Sequence, residues 1–217
     1  MQAEARAWLD ATPAPPHASV ITSMPDLSEM RVEEAGFAEL PLGLPRWRSW
    51  FESTARQIVR WVPEDGVSIF FQSDIRVDGA LVDKGYLVMR AAEAEGASVL
   101  WHKIVCRRPP GSISQGRSGY SHLIGVTRGP IPKTSKPGPE VLADAGFMPW
   151  SRAMGVAACR VACRYLVENT TRSVVVDPFC GKGTVLAIAN ELGLDAIGVE
   201  LSTKRCKAAR ALTIEST

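Results

Sequence analysis

One stretch constrains this chain more than any other: Ser173-Val174-Val175-Val176-Asp177-Pro178-Phe179-Cys180-Gly181-Lys182-Gly183-Thr184. Three β-branched valines in a row read as a buried parallel strand. Asp177 then stands at its carboxyl end, where two glycines let the chain turn tightly and a ligand approach the backbone. Thr184 opens a helical run to Leu192, and Gly193 stops it. A second short strand, Ala196 to Val199, ends in Glu200. Strand, glycine-rich turn, helix, strand and acid make one mononucleotide-binding βαβ unit.

That unit has a definite chemistry. Backbone N–H groups at the turn and helix start hold an anionic or polar ligand group. An acid after the second strand accepts the hydroxyls of a ribose. Glu200 follows Gly183 by 17 positions (200 − 183), near the roughly 20 expected. The first glycine of a phosphate loop and the three-glycine NAD fingerprint are both missing. The sequence D-P-F-C-G-K-G-T instead resembles the S-adenosylmethionine (SAM) loop of class I methyltransferases, in the D-P-F-x-G-x-G-T form of nucleic-acid amino-methyltransferases. The resemblance implies SAM as cofactor, held by Asp177, Pro178, Phe179, Cys180, Gly181, Gly183, Thr184 and Glu200. It also implies an α/β fold: a Rossmann-like, doubly wound, mainly parallel sheet.

The position of this loop predicts the chain order. About 17 residues follow Glu200, too few for the remaining strands, so those strands must come first and the fold is expected to be circularly permuted. Residues 1–217 are then one methyltransferase domain, with a catalytic and substrate half (1–146) and a SAM-binding half (147–217). Permuted DNA amino-methyltransferases begin with a short helix, a strand and a D/N/S-P-P-Y tetrapeptide. Here Ala3 to Asp10 is amphipathic, Ala18-Ser19-Val20-Ile21-Thr22 is a β-branched strand, and Ser23-Met24-Pro25-Asp26 fills the tetrapeptide slot. The resemblance makes these four the catalytic residues: Ser23 and the Met24–Pro25 backbone accept an exocyclic amine. Asp26 departs from the pattern, because it offers no ring to stack on a base. It also resembles the tetrapeptides of some RNA methyltransferases that act on ring nitrogens, and it equally suits a plain turn capping the next segment.

The rest reads more coarsely. Residues 27 to 45 are loop-like and acidic, and Arg46 to Trp61 is a helix with Trp50, Phe51, Ile58 and Trp61 on one face. Val67 to Gln72 is a buried strand, and Asp83 N-caps a helix that ends at Gly96. Ser98 to Val105 and Ser121 to Thr127 resemble the closing antiparallel hairpin of the permuted family, a pairing that sets His102 against His122. Phe147 to Met154 precedes an apolar helix from Ala153 to Val167, and by family position its start, Ser151 included, touches the cofactor's methionine end. Trp47 could stack on a base or pack in the core.

Charge bears on the partner. At 217 residues, with 46% hydrophobic and 22% charged residues and a net charge of +2, the chain is ordinary and mildly basic. Between Arg107 and Pro139 it carries Arg107, Arg108, Arg117, Arg128, Lys133 and Lys136 and no acid. This reads as two loops on the active-site side facing phosphates, with Arg107, Arg108 and Arg117 as nucleic-acid contacts. A small linker where DNA enzymes carry a sequence-reading insert points to structured RNA, tRNA above rRNA. DNA, or a SAM-binding subunit that needs a partner for activity, is the alternative. Five cysteines without framework spacing suit reduced thiols and a cytoplasmic protein without membrane span or signal peptide. Cys159, Cys163, Cys180 and Cys206 lack a zinc knuckle, so no metal is expected.

Overall fold

Alternation along the strands decides which side of the sheet each residue serves, and here both sides are apolar. A computed structural model describes residues 1–30, 43–113, 116–131 and 136–214. Lys133 and most of the acidic loop (Glu33, Glu34, Glu39) lie outside the described residues. The strands are β1 (Ala18–Thr22), β2 (Ser68–Gln72), β3 (Ile75–Val77), β4 (Ala80–Val82), β5 (Ser98–Cys106), β6 (Tyr120–Thr127), β7 (Val141–Leu142), β8 (Val174–Asp177) and β9 (Asp195–Gly198). The helices are α1 (Ala5–Ala11), α2 (Leu44–Trp61), α3 (Lys84–Ala94), α4 (Val156–Asn169), α5 (Thr184–Glu191) and α6 (Thr203–Ala211).

Seven strands form one sheet in the order β7-β5-β6-β2-β1-β8-β9, and β3 and β4 form a separate small hairpin. β2, β1, β8 and β9 run parallel, while β6 is antiparallel to both β2 and β5. Phe70 faces α2 and α3 in a cluster with Trp47, Phe51, Ile58 and Val88. Its neighbours Ile69 and Phe71 face the other way, toward Cys159, Leu166 and Ile188 of α4 and α5. Helices thus cover both faces, as strands apolar on both sides require. Each large side chain fully buried there contributes about 1.5–3 kcal/mol.

Three details depart from the sequence reading. The buried face of α2 is Trp47, Phe51, Thr54, Ala55, Ile58 and Val59, whereas Trp50 and Trp61 sit at its margin, only partly buried. The β3–β4 hairpin and β7 were not anticipated, because strands of two or three residues carry too few positions to show a period, nor was α6, which buries only Cys206 and so shows no apolar face. Ahead of α1, Gln2 bridges Glu200 in parallel, with Ala3 N–H donating to the Glu200 carbonyl. That fragment of an edge strand delivers Glu4 to the start of α1, where its carboxylate accepts the Arg6 and Ala7 N–H groups.

The basic segment also divides. The turn after β5 leaves from the edge where β1, β2 and β8 end, because β6 runs back antiparallel and pairs Gln72 with His122. The segment after β6 lies at the opposite edge, where Arg128 Nε donates to the Val59 carbonyl (3.1 Å) and Nη2 to those of Arg60 (3.0 Å) and Val62 (2.6 Å). Arg128 therefore satisfies the C-terminal carbonyls of α2, and the Lys136 N–H bonds Asn169 at the end of α4. Neither belongs to an active-site loop. Arg128→Ala should cost about 1–3 kcal/mol, a fall of roughly 2–12 °C in melting temperature, and leave nucleic-acid affinity unchanged. Weaker nucleic-acid binding at an unchanged melting temperature would return Arg128 to the substrate surface.

Candidate active site

The site begins where β1 and β8 end side by side. Their parallel register sets Val20 beside Val176, so Thr22 Oγ1 reaches Asp177 Oδ1 and donates a 2.7 Å hydrogen bond. The Phe179 N–H donates to the same oxygen at 3.1 Å. Asp177 is 4% exposed, and burial pushes its pKa from 3.8 up to about 7. The two hydrogen bonds oppose that rise, and the nearby charge of Glu200 adds to it.

Beyond Asp177 the chain turns through Gly181 (φ +55°) and Gly183 (φ +85°), left-handed values that favour glycine. A Cβ on Gly181 would sit 2.7 Å from Trp150 Cζ2, and one on Gly183 2.9 Å from Ala209 Cβ. The turn opens into a cavity of ≈ 620 Å³, within the usual size of small-molecule sites. Asp177, Pro178, Phe179, Cys180, Gly181, Thr184 and Glu200 line it, together with Glu4 at the far end. Gly183 shapes the turn without lining the cavity. Glu200 is 8% exposed, and its Oε1 is oriented by the Ser202 N–H at 2.8 Å.

These residues fit the expected cofactor. Thr184 Oγ1 is buried with no hydrogen-bond partner among the described residues, a free group where a bound molecule would satisfy it. Trp150 Nε1 is in the same condition, and its ring closes the cavity over Gly181. Acidic Glu4 and Glu200, apolar Phe179 and Met154, and backbone at the glycine turn match the hydroxyl-bearing, apolar and charged parts of SAM.

Ser23, Met24 and Pro25 line the same cavity, but Asp26 does not. Asp26 pairs with the ammonium of Lys84, which is 2% exposed, and begins a 3-10 turn (Leu27–Glu29) whose Glu29 carboxylate accepts the Asp26 N–H. Its carboxylate is engaged by Lys84, and its backbone N–H by the turn that follows. Ser151 is exposed beside the cavity, and its neighbours Trp150 and Arg152 line it instead. Arg152 reaches across to Glu29. Trp47 is wholly buried in the core, while Trp50 lines the cavity, edge-on to Phe179. Arg107 and Arg108 are exposed at the same end of the sheet, as is Arg117, and Arg107 Nη1 bonds Ser73 Oγ at 3.0 Å. Cys159 and Cys163 lie on the opposite face from α1 to α3, and all five thiols are free.

The raised pKa of Asp177 predicts a pH dependence. Between about 4 and 7 the native state binds more protons than the unfolded chain, so this group's effect on stability worsens as pH rises through that window. The total is roughly 4 kcal/mol at most. Asp177→Asn removes it. Thermal melts without cofactor should show the variant gaining on the wild type as pH climbs from about 4.5 to 7.5. A difference constant with pH would mean that Asp177 titrates as an ordinary carboxylate.

Comparisons with known proteins agree with this geometry. A family model for N6/N4 methylases, described as DNA methylase, matches residues 163–211. None of the curated proteins matches the chain in sequence. Among solved structures, a Thermus thermophilus protein complexed with S-adenosyl-L-methionine, provisionally described as a DNA modification methylase, has a TM-score of 0.68 at 18% identity, covering 97% of this chain and 92% of its own. The PvuII DNA methyltransferase, cytosine-N4-specific, gives 0.70 at 14%, covering 96% and 83%. The M1.HpyAVI–SAM complex gives 0.60 at 14%, covering 97% and 96%. At these identities the structures establish the fold, and the family match falls on the segment that carries the glycine turn. The chain has the fold of these class I methyltransferases, and its segment 163–211, which carries the glycine turn, is similar to the DNA methylase family.

Proposed function

We propose that this protein methylates an exocyclic amine of a base in DNA. One observation carries the reading: Ser23-Met24-Pro25 lines a single cavity with Asp177–Gly181 and Thr184 of the glycine turn. When bound, SAM supplies an electrophilic methyl group. Ser23 Oγ and the Met24 carbonyl would accept the two amine hydrogens and turn the nitrogen lone pair into the cavity, which is mostly a matter of positioning. Trp50 and Trp150 supply the aromatic walls that Asp26 does not. Arg107, Arg108 and Arg117, at the same end of the sheet, would meet the phosphates.

DNA takes the place of the RNA expected from sequence. The matching family model is one of DNA methylases, and the Thermus thermophilus and PvuII proteins are described as DNA enzymes. The lateness of β8 in the chain, after β1 and β2, is the order that circular permutation would produce.

The test is incubation with methyl-labelled SAM and, separately, duplex DNA, tRNA and rRNA, followed by nuclease digestion and mass spectrometry. The expected product is N6-methyladenine or N4-methylcytosine in DNA. Ser23→Ala should lower turnover about 10²-fold or more while SAM binding survives. Asp26→Asn should act through the Lys84 pairing, with a smaller loss. Label confined to RNA would restore the RNA reading, and SAM binding without label in any polymer would favour a subunit awaiting its partner.

A further inference from the structure

Outside the cofactor cavity, one group of ligating side chains converges where β2, β6 and α3 meet. Asp74, just past β2, has a fully inaccessible side chain, and His122 of β6 is 6% accessible. His122 Nε2 lies 3.1 Å from both Asp74 oxygens and 3.7 Å from Oδ1 of Asp83, the N-cap of α3. Among the described residues this is the group whose ligand atoms all fall within 4.8 Å of one another. Ligands about 2.1 Å from a tetrahedral ion stand about 3.4 Å apart, and the observed separations bracket that value.

The surroundings carry the features of a metal shell. His122 Nδ1 is 2.9 Å from His102 Nε2, so an outer hydrogen bond fixes the ring with Nε2 inward. The ring rests on Gly85, where a Cβ would come within 2.9 Å of it. The Lys84 N–H bonds Asp74 Oδ1 at 2.9 Å, and the Lys84 ammonium is committed to Asp26. Two carboxylates therefore flank the imidazole, a local negative charge that a divalent cation would cancel.

A second observation is independent of these three. Gln72, last in β2, is 0% exposed and stands opposite His122 in register, on the same face of the sheet. Both of its amide atoms lack a hydrogen-bond partner among the described residues. A buried amide with neither atom paired is rare and signals a missing partner.

We propose that Asp74, Asp83 and His122 bind one divalent transition ion, with a water on that ion as the partner of Gln72. One imidazole and two carboxylates suit Zn²⁺ or Mn²⁺ better than the all-oxygen cages of Ca²⁺. The ion ties the ends of β2 and β6 to the first turn of α3, and through Lys84 it steadies Asp26. The inference does not depend on which polymer is methylated.

The test uses the full chain stripped with chelator, titrated with Zn²⁺ by calorimetry and followed by thermal melts, with Co²⁺ as a spectroscopic probe. One equivalent should bind and raise the melting temperature. His122→Ala should weaken binding by at least about 10-fold. Asp83→Asn should do the same while retaining an N-cap acceptor and hence the fold. No uptake by the wild type, or affinity that either variant leaves unchanged, overturns the proposal.

Discussion

The hydrogen bond from Thr22 to Asp177 joins two residues 155 positions apart in the chain, and the site depends on it. Thr22 precedes Ser23, and Asp177 precedes the glycine turn, so one bond levels the two segments that line the cavity. It exists because β1 and β8 pair in parallel register, with Ser19 beside Val175 and Val20 beside Val176. A slip of one residue would send Thr22 to the α4–α5 face and break the alignment. Apolar packing on both faces sets that register, so the cores on the two sides determine the geometry of the site.

How much of this was legible in the sequence depended on the kind of signal. Val174–Val176, Val20–Ile21 and Ser68–Gln72 announce themselves by β-branched and aromatic content, and the glycine turn by its spacing. The ends of long elements emerged within a few residues for the same reason. The cations after β5 and β6 show what a linear reading lacks. They look like one basic stretch, yet an antiparallel strand lies between Arg107 and Arg128 and carries them to opposite ends of the strands. The tryptophans make the same point by burial, since Trp47 and Trp50 differ by less than one helical turn but only Trp50 meets the cavity. The Asp74–Asp83–His122 group was invisible because no short spacing links its members.

Asp26 marks the point where local pattern and tertiary context part. Its place in the tetrapeptide implied a role toward the substrate, but buried Lys84 claims the carboxylate and the following 3-10 turn claims the backbone. A buried lysine without a partner is costly, so the ammonium on α3 requires an acid at this position. Asp26 therefore has its counterpart 58 residues away, in Lys84.

The cysteines have a practical consequence. All five thiols are buried, and burial raises Cys159 and Cys180 well above an ordinary thiol and Cys163 to about 12. The thiolate is the reactive species, so Cys159 and Cys163, in the core under α4, are slow targets for maleimides and mild oxidants, while Cys180 lines the cavity. A single cysteine placed at exposed position 151, on the rim beside Trp150, would be the most accessible attachment point for a fluorophore or spin label. The native chain is thereby a ready background for watching the mouth of the cavity in solution.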